Sequence, residues 1–165
     1  MELLAAVDVQ YLDTGGARAA AVLSDERTFA TIVTEHVAEL ATVAEYQPGA
    51  FYVRELPAIE AVLALAPPVD LLIVDGYVDL DPDGRPGLGA HVRAALGMPV
   101  IGVAKTAFHT AIHARAVRRG TSTRPLYVTA AGLSIVEAAD LVRRLAGPHR
   151  LPTALKRVDA LARGR

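Results

Sequence analysis

The sequence predicts an α/β protein with a mixed central sheet and helices on both faces. Three observations lead to this class. The first part of the chain is typical of a meander of short strands separated by turn residues. Two apolar runs, at 71–74 and 100–104, are typical of strands that are buried on both faces. Helical patterns alternate with these runs, as expected for a sheet that is covered by helices.

The opening meander is predicted to contain three antiparallel strands. An apolar run at 3–9 gives the first strand, and the turn sequence DTGG at 13–16 leads into the second strand at 17–23. A polar turn and alternating β-branched residues then predict the third strand at 28–34. Short connections of this kind favour antiparallel pairing.

The rest of the chain is predicted to alternate between helices and strands. Pro57 fits the first turn of a helix, and Ser134 followed by Glu137 is the signature of a capping box. The predicted helices are at 55–65, 90–96, 107–119 and 134–145, and the predicted strands are at 71–74, 100–104 and 126–129.

Length and composition exclude several classes of protein. A chain of 165 residues is long enough for one domain with a sizeable core, so we expect residues 1–165 to form a single domain. The absence of cysteine excludes a disulfide scaffold, a thiolate metal site and a cysteine nucleophile. There is no apolar run of about 18 residues, and no basic segment precedes the first apolar stretch. We therefore expect a soluble cytoplasmic protein.

The charges are divided unevenly along the chain. Residues 1–104 carry 15 acidic and 5 basic side chains, whereas residues 105–165 carry 12 basic and 3 acidic ones. This distribution suits a protein that holds cations and also meets a polyanion such as nucleic acid. The alternative is that the basic side chains only solvate the C-terminal helices, and charge alone does not decide between the two.

Acidic side chains lie where two core strands end. Asp8 and Asp75 end apolar runs, and they would emerge at one edge if their strands were parallel neighbours. Glu55, at the start of a helix, can lean towards the same edge. Converging carboxylates repel one another unless a cation lies between them, and oxygen ligands favour Mg²⁺ or Mn²⁺. Taken singly, each residue could be a local cap or turn, but Lys105 at the end of the next strand favours a joint site.

Five short strings in these regions resemble one family. They are DVQY at 8–11, EYQPGAFYVRE at 45–55, VDGY at 74–77, IGVAKT at 101–106 and RLP at 150–152. In this order and spacing they resemble endonuclease V. The resemblance implies a metal-dependent nuclease with a ribonuclease H-like fold that acts on deaminated bases in DNA repair. It also implies a Mg²⁺ cofactor, for which Mn²⁺ can substitute, a nucleic-acid partner, and a monomer.

The resemblance also implies roles for individual residues. Asp8, Glu55 and Asp75 match metal-binding carboxylates, and Lys105 matches a lysine near the scissile phosphate. Gly76 lies where backbone lines the pocket for hypoxanthine, the base of inosine. The tip of the wedge that fills the gap left by the extruded base corresponds to Tyr46, Pro48 and Gly49. The family cuts the second phosphodiester on the 3′ side of the lesion.

Some residues depart from the pattern of the family. Gly132 stands where the family has a histidine, and Tyr77 replaces the histidine of an Asp-Gly-His-Gly loop. His109 and His113 would share a face of the predicted helix 107–119, although two incidental histidines on a solvated face are the simpler interpretation. The departures leave two alternatives open, a descendant that binds nucleic acid with impaired cleavage and a metal-dependent nuclease with another DNA or RNA substrate.

Basic residues near the C-terminal half provide candidate phosphate contacts. Arg118 and Arg119, beside Gly120, are expected in an exposed loop where their guanidinium groups could meet the phosphates of a nucleic acid. Aromatic residues make up only 5% of the chain, so extended stacking on a single strand is not expected.

Overall fold

The computed structural model describes residues 1–45, 48 and 52–165. Within these residues the chain forms seven strands and four helices. The strands are β1 Leu4–Tyr11, β2 Ala17–Ser24, β3 Thr34–Leu40, β4 Leu71–Asp75, β5 Val100–Ala104, β6 Arg115–Val117 and β7 Leu126–Ala131. The helices are α1 Tyr52–Leu63, α2 Leu88–Leu96, α3 Ile135–Arg144 and α4 Thr153–Ala162.

The strands form one mixed sheet in the order β3-β2-β1-β4-β5-β7-β6. The first three strands pair antiparallel, β4 lies parallel to β1 and β5, and β7 runs antiparallel to β5 and β6. Apolar side chains of α1 and α2 join the core on one face, and those of α3 and α4 join the core on the other. The predicted mixed α/β class with helices on both faces is therefore confirmed.

Local sequence signals explain where the well-predicted elements begin and end. All five residues of β5 are buried, as expected for a continuous apolar run in the middle of a sheet. The hydroxyl of Ser134 accepts a hydrogen bond of 3.1 Å from the backbone N–H of Glu137, which caps the start of α3. Gly97 ends α2 in the left-handed conformation, with φ of 85°.

The third strand does not lie where the sequence pattern placed it. Residues 28–33 form a loop, and β3 begins at Thr34, the last residue of the predicted strand. Phe29 has φ of 51°, and the carboxylate of Glu26 accepts a hydrogen bond from the N–H of Thr31. The positive φ of Phe29 and this local hydrogen bond both disfavour a strand in this segment. The actual β3 is an edge strand with one exposed face. Its sequence is largely polar, so the apolar pattern of a strand was missing there.

The C-terminal half also differs from the prediction. No helix forms at 107–119. Turns are followed there by the short strand β6, and the hydroxyl of Thr110 donates to the carbonyl of Leu80. The prediction was wrong because the alanines in this segment favour a helix, whereas pairing of β6 with β7 determines its structure. Helix α4 was not predicted at all.

No helix among the described residues is both long enough and apolar enough to cross a membrane.

Candidate active site

Asp8 and Asp75 lie side by side at one edge of the sheet. Ala6 of β1 pairs with Ile73 of β4 in parallel register, so the residues two positions further along each strand are level. These residues are Asp8, of which only 8% is exposed, and Asp75, whose side chain is 47% exposed. The two strands are parallel neighbours, which was the condition for both side chains to emerge at one edge.

Glu55 approaches the same edge from helix α1. It lies in the first turn of that helix, and together with Asp8 and Asp75 it lines a cavity of about 80 Å³. The hydroxyl of Tyr11 lies 3.4 Å from Oε1 of Glu55, to which it donates a long hydrogen bond. The guanidinium of Arg54 lies 4.0 Å from the centre of the Tyr11 ring. The three predicted carboxylates therefore share one cavity.

The electrostatics of these carboxylates are those of a crowded acidic site. Burial and the neighbouring carboxylate of Asp75 raise the pKa of Asp8 to about 7, and Asp159 contributes to the same shift. Burial, Asp75 and Asp8 raise the pKa of Glu55 to about 7. The charge of Asp75 therefore makes Asp8 and Glu55 harder to ionise, and a nearby positive charge would relieve this repulsion.

Lys105 supplies a positive charge beside Asp75. Its Nζ lies 3.7 Å from Oδ2 of Asp75, and both side chains are about half exposed, so the pair contributes little to stability. The guanidinium of Arg150 donates to the backbone carbonyls of Lys105 and Pro125, the second at 2.9 Å. Arg150 therefore fixes the backbone that carries Lys105. It belongs to the RLP string that carried the sequence resemblance.

A fourth acidic residue, Asp159, joins the site and was missed by the sequence analysis. It lies on α4, and it lines a small cavity with Asp8, Asp75 and Lys105. Although burial opposes ionisation, hydrogen bonds with Arg163 and Asp8 hold the pKa of Asp159 below its ordinary value. Apolar residues at helical spacing, Ala154, Val158 and Ala162, were the available signal for this helix.

The donor set of this site fits a hard divalent cation by its chemistry. Every candidate ligand is a carboxylate oxygen, Asp8 is buried, Glu55 is partly buried, and the charge of Asp8 contributes to the raised pKa of Glu55. However, among the described residues, no three acidic or histidine side chains stand close enough together to hold one metal ion. A metal site at these carboxylates therefore stays a prediction, which donor type and charge repulsion favour. To bind one cation, these side chains would have to turn towards one another.

A much larger cavity opens beside the carboxylates. It has a volume of about 630 Å³, and its walls include Glu55, Asp75, Gly76 and Tyr77. Gly76 has φ of 126°, and a Cβ built on it would meet no atom within 4 Å, so this backbone faces open space.

The loop that carries Gly76 packs tightly against strands β5 and β7 of the sheet. A Cβ at Gly102 of β5 would lie 2.5 Å from the carbonyl oxygen of Gly76 and 2.7 Å from Oγ1 of Thr129. The same Oγ1 accepts a hydrogen bond of 2.8 Å from the N–H of Val78. Because position 102 has no side chain, the backbone of Gly76 in the cavity wall can pack directly against strand β5.

Comparison with known proteins now identifies the family. The family profile described as Endonuclease V matches residues 1–121. The endonuclease V of Azotobacter vinelandii is 33% identical over 182 residues, which cover 97% of this chain and 81% of that protein. The chain belongs to the endonuclease V family. It is an endonuclease by that membership. The endonuclease V of Streptomyces coelicolor is also 33% identical, over 95% of this chain and 76% of that protein.

Solved structures agree with this assignment. The endonuclease V of Streptomyces avermitilis superposes with a TM-score of 0.82 at 27% identity, covering 98% of this chain and 80% of that one. The Ciona intestinalis endonuclease V was solved with a 23mer DNA that contains an inosine followed by a ribo-adenosine. It superposes with a TM-score of 0.82 at 17% identity, covering 99% and 84%. The expected ribonuclease H-like fold is confirmed.

Part of the endonuclease V resemblance concerns the wedge. Tyr46 and Gly49 lie outside the described residues, and Pro48 is exposed in a turn. The wedge therefore stays a prediction for these three residues.

The expected placement of Arg119 is wrong. It is only 6% exposed, and its guanidinium donates to the backbone carbonyls of Leu145, Gly147, His149 and Arg150. These donors are turned inwards, so Arg119 holds the connection before α4 together and does not reach towards a phosphate. Arg118, by contrast, is exposed as expected.

The histidine hypotheses are also revised. Because no helix forms at 107–119, His109 and His113 do not share a helix face. Ala131 pairs with Val100, at the start of β5, whereas Lys105 follows the opposite end of that strand. Gly132 therefore lies at the edge away from the carboxylates, and its lack of a side chain does not remove a ligand from them.

Proposed function

We propose that this member of the endonuclease V family is a metal-dependent endonuclease that hydrolyses a phosphodiester near a deaminated base, inosine or deoxyinosine, in nucleic acid. The observation that carries the proposal is the shared cavity of Asp8, Glu55 and Asp75, with Lys105 paired to Asp75. Carboxylates whose pKa values are raised by burial and by neighbouring charges, as those of Asp8 and Glu55 are, and that lie beside a large cavity are typical of a site that performs chemistry.

The carboxylates of Asp8, Glu55 and Asp75 would hold the cation, with Asp159 next to them. Oxygen ligands favour Mg²⁺, and Mn²⁺ can substitute. When bound, such a cation activates water and stabilises the charge that develops on the phosphate oxygens. The fit rests on donor type, on the burial of Asp8 and on the mutual repulsion of these groups.

The chain's own residues orient the substrate in this proposal. The ammonium of Lys105 neutralises negative charge at the scissile phosphate, and Arg150 keeps the Lys105 backbone in place. The large cavity beside Gly76 receives the extruded base, because the altered atoms of a deaminated base face its partner inside a duplex. Tyr46, Pro48 and Gly49 fill the gap in the strand, and Arg118 contacts a phosphate outside the site.

The proposed function predicts selective nicking of a strand that contains inosine. With Mg²⁺, the chain is expected to cut an inosine-containing oligonucleotide at the second phosphodiester on the 3′ side, and its adenosine twin far more slowly. The products are resolved on a denaturing gel, with DNA and RNA versions of both strands. The reference is the Asp75→Ala variant. Equal cutting of the inosine and adenosine strands, or no cutting above that variant, would contradict the proposal.

A second candidate is a family descendant that binds nucleic acid without efficient cleavage. The observation in its favour is that the described side chains do not gather at one metal position. It predicts salt-sensitive binding to inosine-containing strands without turnover, even in Mn²⁺. Rapid, site-selective cutting would exclude it.

The crowded carboxylates also predict how stability depends on pH. Asp8 and Glu55 have raised pKa values of about 7, so the folded chain binds more protons than the unfolded chain between about pH 4 and 7. Without metal, these two groups therefore lower stability as the pH rises through that window. Asp8→Asn removes one of them, so its melting temperature relative to the parent is expected to rise by about 3 °C or more from pH 5 to pH 8.

Thermal melts in EDTA measure this difference. The matched control is Asp13→Asn, because Asp13 is exposed in the turn between β1 and β2. Adding Mg²⁺ or Mn²⁺ at pH 8 is expected to stabilise the parent more than Asp8→Asn. If the Asp8→Asn difference is the same at pH 5 and pH 8, burial and the neighbouring carboxylates do not raise the pKa of Asp8 in the folded chain.

A further inference from the structure

Tyr77 forms part of the wall of the large cavity. It lies in the loop between β4 and α2, two residues after Asp75, and its ring is half-buried. The centre of the Tyr77 ring lies 6.1 Å from that of Phe108, and the two rings are tilted by 47°. Both aromatic side chains line the cavity that Asp75 and Glu55 also line. The ring of Tyr77 therefore gives the cavity an apolar wall next to the acidic site.

Tyr77 is held at both ends. Its backbone carbonyl accepts a hydrogen bond of 3.1 Å from the N–H of Gly89 in α2. Its hydroxyl donates a hydrogen bond of 2.6 Å to the backbone carbonyl of Thr106, the residue after Lys105. One side chain thus ties the loop after β4 to the loop after β5, and these loops form two sides of the cavity.

The Tyr77 hydroxyl bond joins the two loops next to Gly76, whereas the bond from Thr110 to Leu80 joins them further along each loop. The loop after β4 is already fixed to strand β7 by the hydrogen bond from the N–H of Val78 to Thr129. The backbone bonds of the loop after β5 begin only at Ala111, which bonds to Phe108. Within the described residues, the Tyr77 hydroxyl is the side-chain donor that anchors Thr106. Of the bonds between the two loops, this one is nearest to Gly76, so it has the largest effect on the width of the cavity there.

We propose that Tyr77 determines base selectivity. Its ring is one wall for the extruded base, and its bond to Thr106 keeps the opposite loop at a fixed distance from the backbone of Gly76. A cavity that already has its binding shape loses less conformational freedom when the base enters. More of the free energy of the contacts that distinguish one base from another then contributes to the binding affinity. This inference rests on the proposed function, because the base reaches the cavity only if the chain extrudes it.

Two substitutions separate the hydroxyl from the ring. Tyr77→Phe keeps the ring and removes the bond to Thr106, whereas Tyr77→Leu removes both. The matched control is Tyr127→Phe, which removes a tyrosine hydroxyl from β7, outside the lining of the cavity. Binding is measured by fluorescence anisotropy in EDTA with an inosine-containing oligonucleotide and its adenosine twin, and cutting is measured with Mg²⁺. Melting temperatures show that each variant is folded.

Tyr77→Phe is expected to reduce the preference for inosine by about 5-fold through weaker binding and higher KM, with kcat changed less than about 2-fold. Tyr77→Leu is expected to reduce the preference further, and Tyr127→Phe to leave it unchanged. Hydrogen exchange at residues 105–108 is expected to be faster in Tyr77→Phe than in the parent, with or without substrate.

The outcomes separate this inference from the proposed function. If the parent prefers inosine and both Tyr77 variants keep that preference, the role of Tyr77 is overturned while the proposed function stands. Faster exchange at residues 105–108 with an unchanged preference likewise reduces Tyr77 to a structural role. If the parent has no preference for inosine, the proposed function fails, and the role of Tyr77 in base selectivity fails with it.

Discussion

Replacing Asp75 with asparagine is expected to lower the rate of cutting of an inosine-containing strand by about 10²-fold or more. Asp75 lines both small cavities of the site, and its charge raises the pKa of Asp8 and of Glu55. It also pairs with Lys105 at 3.7 Å. Asparagine keeps the shape of the side chain but removes the negative charge that acts on Asp8, Glu55 and Lys105. The variant therefore tests charge rather than packing.

The fold is expected to survive this substitution. The side chain of Asp75 is about half exposed, so the melting temperature should change by no more than a few degrees. Asp83→Asn is the matched control, because Asp83 is exposed at the tip of the loop before α2. Single-turnover rates with Mg²⁺ and thermal melts provide the two measurements. An Asp75→Asn variant that cuts within about 3-fold of the parent would remove Asp75 from the proposed site, since loss of a central catalytic charge costs far more.

Replacing Arg119 with methionine is expected to cause the largest loss of stability. Its buried guanidinium donates to four backbone carbonyls in the connection that leads to α4. Methionine has a similar reach but donates nothing, so these carbonyls lose a charged donor in a buried place. The expected cost is about 3 kcal/mol or more, which lowers the melting temperature of a chain of this size by about 6–12 °C.

Arg118 provides the control for this prediction, because it is the adjacent residue and is exposed. Arg118→Met is expected to melt within about 2 °C of the parent. If Arg118 contacts a phosphate, Arg118→Met also reduces the salt dependence of nucleic-acid binding by about one unit of slope. Arg119→Lys, which keeps the charge, is a second variant in case Arg119→Met does not fold. Parent-like melting of both Arg119 variants would show that the buried contacts contribute little.

The parts of the fold that the sequence predicted well are those in which a local signal and burial agree. The strands β4 and β5 are short apolar runs in the centre of the sheet, and α3 begins at a serine that caps it. The position of Asp75 at the end of such a run, and of Lys105 just after another, followed directly. The close approach of Asp8 and Asp75 depended only on the two strands being parallel neighbours, which the register confirms.

Other parts could not be predicted because they depend on particular contacts that the sequence pattern does not reveal. The segment before β3 has β-branched residues, yet the bond from Thr31 to Glu26 makes it a loop. Arg119 is charged and lies beside a glycine, which favours exposure, but the chain folds four carbonyls around its guanidinium. Asp159 was missed together with α4, since its role beside Asp8 requires the last helix to pack on the first strand.

The packing of α4 against β1 has a consequence for how the protein is made. The wall of the Asp8 cavity on this side consists of Leu151, Leu155, Val158 and Asp159. During translation, Asp8 leaves the ribosome before these wall residues, which follow every other strand and helix that the structure describes. A nascent chain in which α4 has not yet packed on β1 therefore exposes Asp8 to water on this side, and the wall of the cavity is complete only once α4 is in place.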